Sequence, residues 1–104
     1  MCGIAGIYDL KRRPIDPDDL NIFTKTLEHR GPDDNGIWYK QQTGLAHTRL
    51  SIIDLSPKGH QPMTNEDGTV WITFNGEIYN FMPLRDMLEK KGHRFNSKGG
   101  VNLK

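Results

Sequence analysis

The chain has 104 residues, with 14 basic and 13 acidic side chains and a net charge of +1, so no charge excess directs it to nucleic acid or anionic lipid. Hydrophobic residues make up 35%, low for a free-standing fold, and this points to one small soluble domain that is incomplete. No apolar run has the length of a membrane-spanning helix, and charges from Asp9 onward leave no room for a secretory signal, so the cytoplasm is the expected location.

Gly3 to Tyr8 reads as a buried strand. Lys11-Arg12-Arg13 reads as a solvated turn. Asp16-Pro17 has the form of an N-cap followed by proline at the first helical position, and Leu20, Phe23 and Leu27 continue a helix to about His29. Arg30 to Gly36 is dense in turn formers. Ile37 to Gln41 and Leu45 to Ile53 are strand candidates separated by Gln42-Thr43-Gly44. Asp54 to Gln61 reads as a loop. Asp67-Gly68 is a tight-turn dipeptide leading into a strand over Thr69 to Phe74. Asn80 is placed to cap a second helix with an apolar stripe of Leu84, Met87 and Leu88, Pro83 in its first turn and Gly92 at C′.

Cys2 is the single cysteine, so it forms no intramolecular disulfide. Removal of Met1 would give Cys2 a free α-amine beside its thiol. The basicity of such an amine is close to that of a thiol, which makes it a built-in general base for a terminal nucleophile. Taken alone, Cys2 reads more readily as a small buried hydrophobe than as a nucleophile. Trp38 and Trp71 fall in strand candidates and read as core. His29, His47, His60 and His93 lack metal-ligand spacing, so no metal site is expected. Asp33-Asp34 reads as a solvated acidic turn. Lys98-Gly99-Gly100 is not a phosphate loop.

Cys2-Gly3-Ile4-Ala5-Gly6, His29-Arg30-Gly31-Pro32-Asp33, Arg49-Leu50-Ser51-Ile52-Ile53-Asp54 and Asn75-Gly76-Glu77-Ile78-Tyr79-Asn80 occur in this order. Together they resemble the N-terminal-nucleophile (class II) glutamine amidotransferase domain, and more narrowly that of the glutamine-hydrolysing asparagine synthetases. The resemblance covers residues 2–98, read as the N-terminal part of the domain, with 99–104 as a divergent tail. It implies an α+β fold, part of a four-layer αββα sandwich with mainly antiparallel sheets. It implies L-glutamine as substrate and Cys2 as the nucleophile that forms a thioester. Arg49 then matches the clamp on the glutamine α-carboxylate, a task suited to a bidentate guanidinium. Leu50, Ser51, Ile52 and Ile53 match backbone lining the glutamine site, and Glu77 matches a substrate-side position. Asn75 and Gly76 match an oxyanion hole, whose donors are worth about 2.7–4 kcal/mol each in comparable sites. Read without the resemblance, Arg49 is a strand arginine with its head in solvent and Asn75-Gly76 is a hairpin turn.

Two departures from the family pattern stand out. The family carries a Ser-Asp pair shortly after the region matching His93-Arg94-Phe95, and its aspartate binds the glutamine α-amine. Asn96 to Lys104 contains no acid, and an unpaired ammonium would cost about 1.5–3 kcal/mol. The Ser-Gly-Gly-x-Asp-Ser motif of the synthetase domain is also absent. The resemblance implies ATP and magnesium for that synthetase domain alone, so no cofactor is expected here. The expectation is a truncated or frameshifted gene diverging near Lys98, which reading the downstream DNA in three frames checks. Two rivals to the enzyme are an inactive remnant and an interaction module that pairs with a separate synthetase subunit. An unfinished sheet edge is a route to self-association.

Overall fold

The computed structural model describes residues 2–50 and 59–95. Its elements are β1 (Gly3–Tyr8), α1 (Pro17–Leu27) with a 3-10 turn at Glu28–Arg30, β2 (Asp34–Lys40), β3 (Thr43–Arg49), β4 (Met63–Thr64), β5 (Trp71–Ile72) and α2 (Phe81–Lys90). The fold is α+β, and both sheets are antiparallel.

The first sheet has the order β1-β3-β2. Gly3 pairs with Thr48 and Tyr8 with Thr43, while Asp34 pairs with Arg49 and Lys40 with Thr43. Residues paired across an antiparallel sheet share a face, and the faces alternate along each strand. Gly3, Ala5 and Ile7 therefore lie with Thr48, Ala46 and Gly44 on the face that α1 covers. The opposite face carries Leu45, His47 and Arg49, and there Trp38 stacks on Trp71 of β5 with centroids 4.9 Å apart and planes 16° apart. Helix α1, the three-stranded sheet and the β4-β5 pair thus form three successive layers. The expectation of a buried strand at Gly3 to Tyr8 is corrected: β1 forms, but as an outer strand in which only Gly3 is buried, and Ile4 and Tyr8 are exposed at 49% and 63%.

The Asp16 carboxylate accepts from the Asp18 N–H at 2.9 Å and caps α1, with Pro17 at the first position. The buried stripe is Leu20 and Thr24. The apolar spacing assigned Phe23 to this stripe, but the helical period carries the face from 20 to 24 and 27, which leaves Phe23 exposed.

The turn between β2 and β3 falls at Gln41-Gln42, one residue before the expected turn, with Gln41 at φ 53°. Thr43 and Gly44 belong to β3. A Cβ on Gly44 would stand 3.0 Å from Leu20 Cδ1, so this glycine admits the helix and does not mark a turn. Asp33 is exposed, as expected of a solvated turn, but Asp34 already begins β2 and its carboxylate engages His60.

Only Trp71 and Ile72 of the expected Thr69–Phe74 strand are in a ladder. The N–H groups of Thr69 and Val70 are taken by Asn65 Oδ1 at 2.9 and 3.0 Å, and that of Phe74 by Gln61 Oε1. Gly68 has φ 75° and occupies the expected turn. β4 was not anticipated, since two residues are too few to show alternation. The Gln61-Pro62 bond before it is cis. Asn80 precedes α2, but its side chain makes no capping bond, and none of the α2 residues is buried. Gly92, at φ 97°, takes the C′ role. Most of the expected loop at 54–61 lies outside the described residues. No helix among the described residues is long and apolar enough to cross a membrane.

Leu20 and Ala46 are the fully buried apolar residues among those described. Leu20→Ala is expected to lower the unfolding free energy by about 2–5 kcal/mol, read from the shift in a chemical denaturation midpoint.

Candidate active site

Cys2 immediately precedes β1, so the pairing of Gly3 with Thr48 carries it to the end of β3. Its sulfur lies 3.4 Å from the Leu50 nitrogen, whose N–H donates to it, and the thiol faces the Leu50 carbonyl at 3.9 Å. Its own carbonyl accepts from Arg30 Nε at 3.4 Å. Thr48 fixes the next residue. Its hydroxyl accepts from the Gly3 N–H at 3.1 Å and donates to the Leu27 carbonyl at 3.1 Å. One side chain thereby ties the cysteine end of β1 to the end of α1. A Cβ on Gly3 would come within 2.6 Å of Thr48 Oγ1 and 2.9 Å of Leu27 Cβ, so glycine is required for this approach.

Arg49 is 8% exposed, which corrects the bland reading of a strand arginine with its head in solvent. Its carbonyl accepts from the Asp33 N–H at 3.0 Å. Its guanidinium lies against Gly59, where a Cβ would be 2.8 Å from Arg49 Cζ. Cys2, Arg49 and Leu50 are therefore brought together at one end of the sheet.

Asn75, Gly76 and Glu77 are exposed and follow β5. They do not form the hairpin turn that Asn-Gly alone suggests. Among the described residues no hydrogen bond joins Asn75 to Cys2. The segment before them is tied to β3: the Thr73 hydroxyl donates to the Ala46 carbonyl at 3.2 Å and contacts His47 Nδ1 at 2.9 Å. Gln61, 5% exposed, receives the Phe74 N–H at 2.6 Å. Gly76 is packed on the Phe74 ring, 2.9 Å from a would-be Cβ to Cζ. Ser51, Ile52 and Ile53 lie outside the described residues.

Sequence reasoning missed His47, Thr48, Gln61 and Thr73. A threonine in a strand is ordinary β-branched composition, and no local signal marks the partner of its hydroxyl. Among the described residues no group of three or more His, Cys, Asp or Glu side chains is arranged to hold a metal ion.

The sequence matches the glutamine amidotransferase domain over residues 1–102. The chain belongs to this family. Similar family members include asparagine synthetase [glutamine-hydrolyzing] 1 of Bacillus subtilis, 42% identical over 108 residues that cover 99% of this chain and 17% of the relative. Asparagine synthetase [glutamine-hydrolyzing] 3 of Arabidopsis thaliana is 46% identical over 98 residues, covering 93% and 16%. A putative asparagine synthetase [glutamine-hydrolyzing] 2 of Methanocaldococcus jannaschii is 41% identical over 104 residues, covering 83% and 20%. The chain thus spans a fifth or less of the length of these family members.

Among the described residues, His47 is a strongly perturbed titratable group. It is 1% exposed, and its Nε2 is buried without a partner among the described residues. Burial, reinforced by the charges of His60 and Arg49 and opposed by Asp34, pushes its pKa down from 6.5 to about 4. Above pH 6.5 the histidine is neutral in both the folded and the unfolded chain, and its full contribution to stability is present. As pH falls from 6.5 towards 4, the unfolded chain takes up a proton that the folded chain refuses, so stability is lost, by on the order of 2 kcal/mol. Asp9 and Asp67 are held below the usual carboxylate value by hydrogen bonds, chiefly from the Lys11 N–H and the Thr69 hydroxyl, and act below this window. Denaturation midpoints measured from pH 7 to 4 are expected to fall in the native chain and to fall less in His47→Asn.

Proposed function

We propose that the chain carries the nucleophile side of a glutamine-hydrolysing site, with Cys2 as an N-terminal nucleophile. The observation that carries this reading is the placement of the Cys2 sulfur on the Leu50 backbone beside the buried Arg49. After loss of Met1, the Cys2 α-amine takes the thiol proton, and sulfur attacks the side-chain amide carbon of glutamine. Asn75 and Gly76 receive the oxyanion. The C–N bond breaks, the leaving nitrogen takes the proton, and ammonia departs from a thioester. Water then adds to the thioester and releases glutamate and the thiol. Arg49 holds the α-carboxylate through a paired guanidinium–carboxylate contact. Leu50, Ser51, Ile52, Ile53 and Glu77 line the substrate. The steps balance with glutamine and water alone. The ammonia would serve a synthetase domain that makes asparagine. The outer strands β1 and β2 are where we propose that further strands add, from such a partner or from a second copy.

A second reading, a folded but inactive chain, is favoured by the absence of an acid from Asn96 to Lys104. Glutamate release from millimolar glutamine by Met1-processed protein separates the two. Cys2→Ala is expected to abolish release, and Arg49→Lys to raise KM about tenfold or more, because one ammonium cannot make the paired contact. Release that survives in Cys2→Ala would overturn the cysteine mechanism, and no release by folded native protein would support the inactive chain.

A further inference from the structure

We propose that His47 and Thr73 act as a pair of positioning residues that hold the Asn75-Gly76 segment for glutamine hydrolysis, an inference that rests on the reading of that segment as the oxyanion hole. The β4-β5 ladder ends at the Met63–Ile72 pair. Beyond it the chain must be located by other means, because an oxyanion donor is useful only if it is fixed before charge develops.

Two side chains supply that fixation. Gln61 takes the Phe74 N–H. Thr73 is held at two points, because its one hydroxyl proton goes to the Ala46 carbonyl, at 3.2 Å, and its lone pair then accepts the Nδ1–H of His47, at 2.9 Å. This arrangement selects the neutral Nδ1–H tautomer of His47. It leaves Nε2 as a bare acceptor, the atom found buried without a partner among the described residues. A second proton there would put an unpaired N–H beside Arg49 and His60, with Asp34 as the opposing charge, so burial keeps the ring in the one form that serves Thr73. His47 and Ala46 belong to the strand whose next residues are Thr48, which holds Gly3, and Arg49. The pair therefore ties the segment carrying the oxyanion donors to the strand that positions the nucleophile and the proposed carboxylate clamp. Neither His47 nor Thr73 touches substrate in this scheme. Both act through the backbone two to three residues downstream.

The test uses the full Met1-processed chain with His47→Leu, Thr73→Val, the double variant, and the conservative His47→Asn and Thr73→Ser. Asparagine keeps an N–H donor in place of Nδ1, and serine keeps the hydroxyl. Thr73→Val and His47→Leu are expected to lower kcat for glutamate release about tenfold or more with KM changed less than about threefold, and the double variant to fall no further than the worse single one. His47→Asn and Thr73→Ser are expected to recover most of kcat. Alkylation of Cys2 by iodoacetamide should keep its native rate in all of them, since the nucleophile is not moved. Amide exchange of residues 74–77 is expected to speed up in Thr73→Val and His47→Leu, whether or not the chain hydrolyses glutamine. Unchanged exchange, additive losses in the double variant, or native kcat in folded Thr73→Val would overturn the proposal. A native chain that releases no glutamate overturns the hydrolytic role for both residues, while the exchange result still decides whether they hold the segment.

Discussion

The antiparallel pairing of β1 with β3 is the constraint on which the site depends. Cys2 has no element of its own to hold it. Because Gly3 stands opposite Thr48, the cysteine falls beside Arg49 and Leu50, and a slip of one residue would turn β1 over and put Cys2 on the wrong face. The register is pinned from outside the ladder by the Thr48 hydroxyl, which reaches both Gly3 and Leu27. It is also pinned by the absence of a side chain on Gly3, which lets strand and helix end meet.

β3 serves two layers at once. On one face Gly44, Ala46 and Thr48 receive α1. On the other, His47 bonds Thr73 just past β5 and the Arg49 guanidinium lies against Gly59. The last four residues of the strand are all buried, and three of them are polar. Among the described residues the buried polar and charged side chains, Thr24, His47, Thr48, Arg49 and Gln61, outnumber the buried apolar ones, Leu20, Ala46 and Pro62. Burial of that kind costs free energy unless each group is hydrogen-bonded. Thr48 and Gln61 repay it by bonding to the backbone of other segments, and His47 does so at Nδ1 alone, through Thr73. The interior of this part of the molecule is therefore organised more by directed polar contacts than by apolar bulk, which agrees with a composition poor in hydrophobic residues.

Much of the scaffold was legible in the sequence. The strand at Gly3–Tyr8, the Asp16-Pro17 start of α1, the Asp67-Gly68 turn and the place of Gly92 after α2 follow from local rules, because alternation, capping and positive φ act over a few residues. The errors came where a partner outside the segment decided the outcome. Gly44 resembles a turn residue until Leu20 is seen above it. Phe23 fits a helical stripe until the face is fixed by Leu20 and Thr24. The strand expected at Thr69–Phe74 is cut to two residues because Asn65 and Gln61 take its outer N–H groups.

For the candidate site, the sequence by itself determined which residue types are available: a cysteine next to the initiator, an arginine at 49, an Asn-Gly pair at 75. It determined the family they point to, because the order and wording of these stretches are properties of the chain alone. Only the tertiary structure decided that Cys2 and Arg49 share one end of a sheet and that Arg49 is buried. Only the tertiary structure decided that His47, set aside when metal spacing was considered, is the buried partner of Thr73. The reason is physical: pairing register, burial and the direction of a hydroxyl proton depend on residues 20 to 50 positions apart, and no local pattern encodes them.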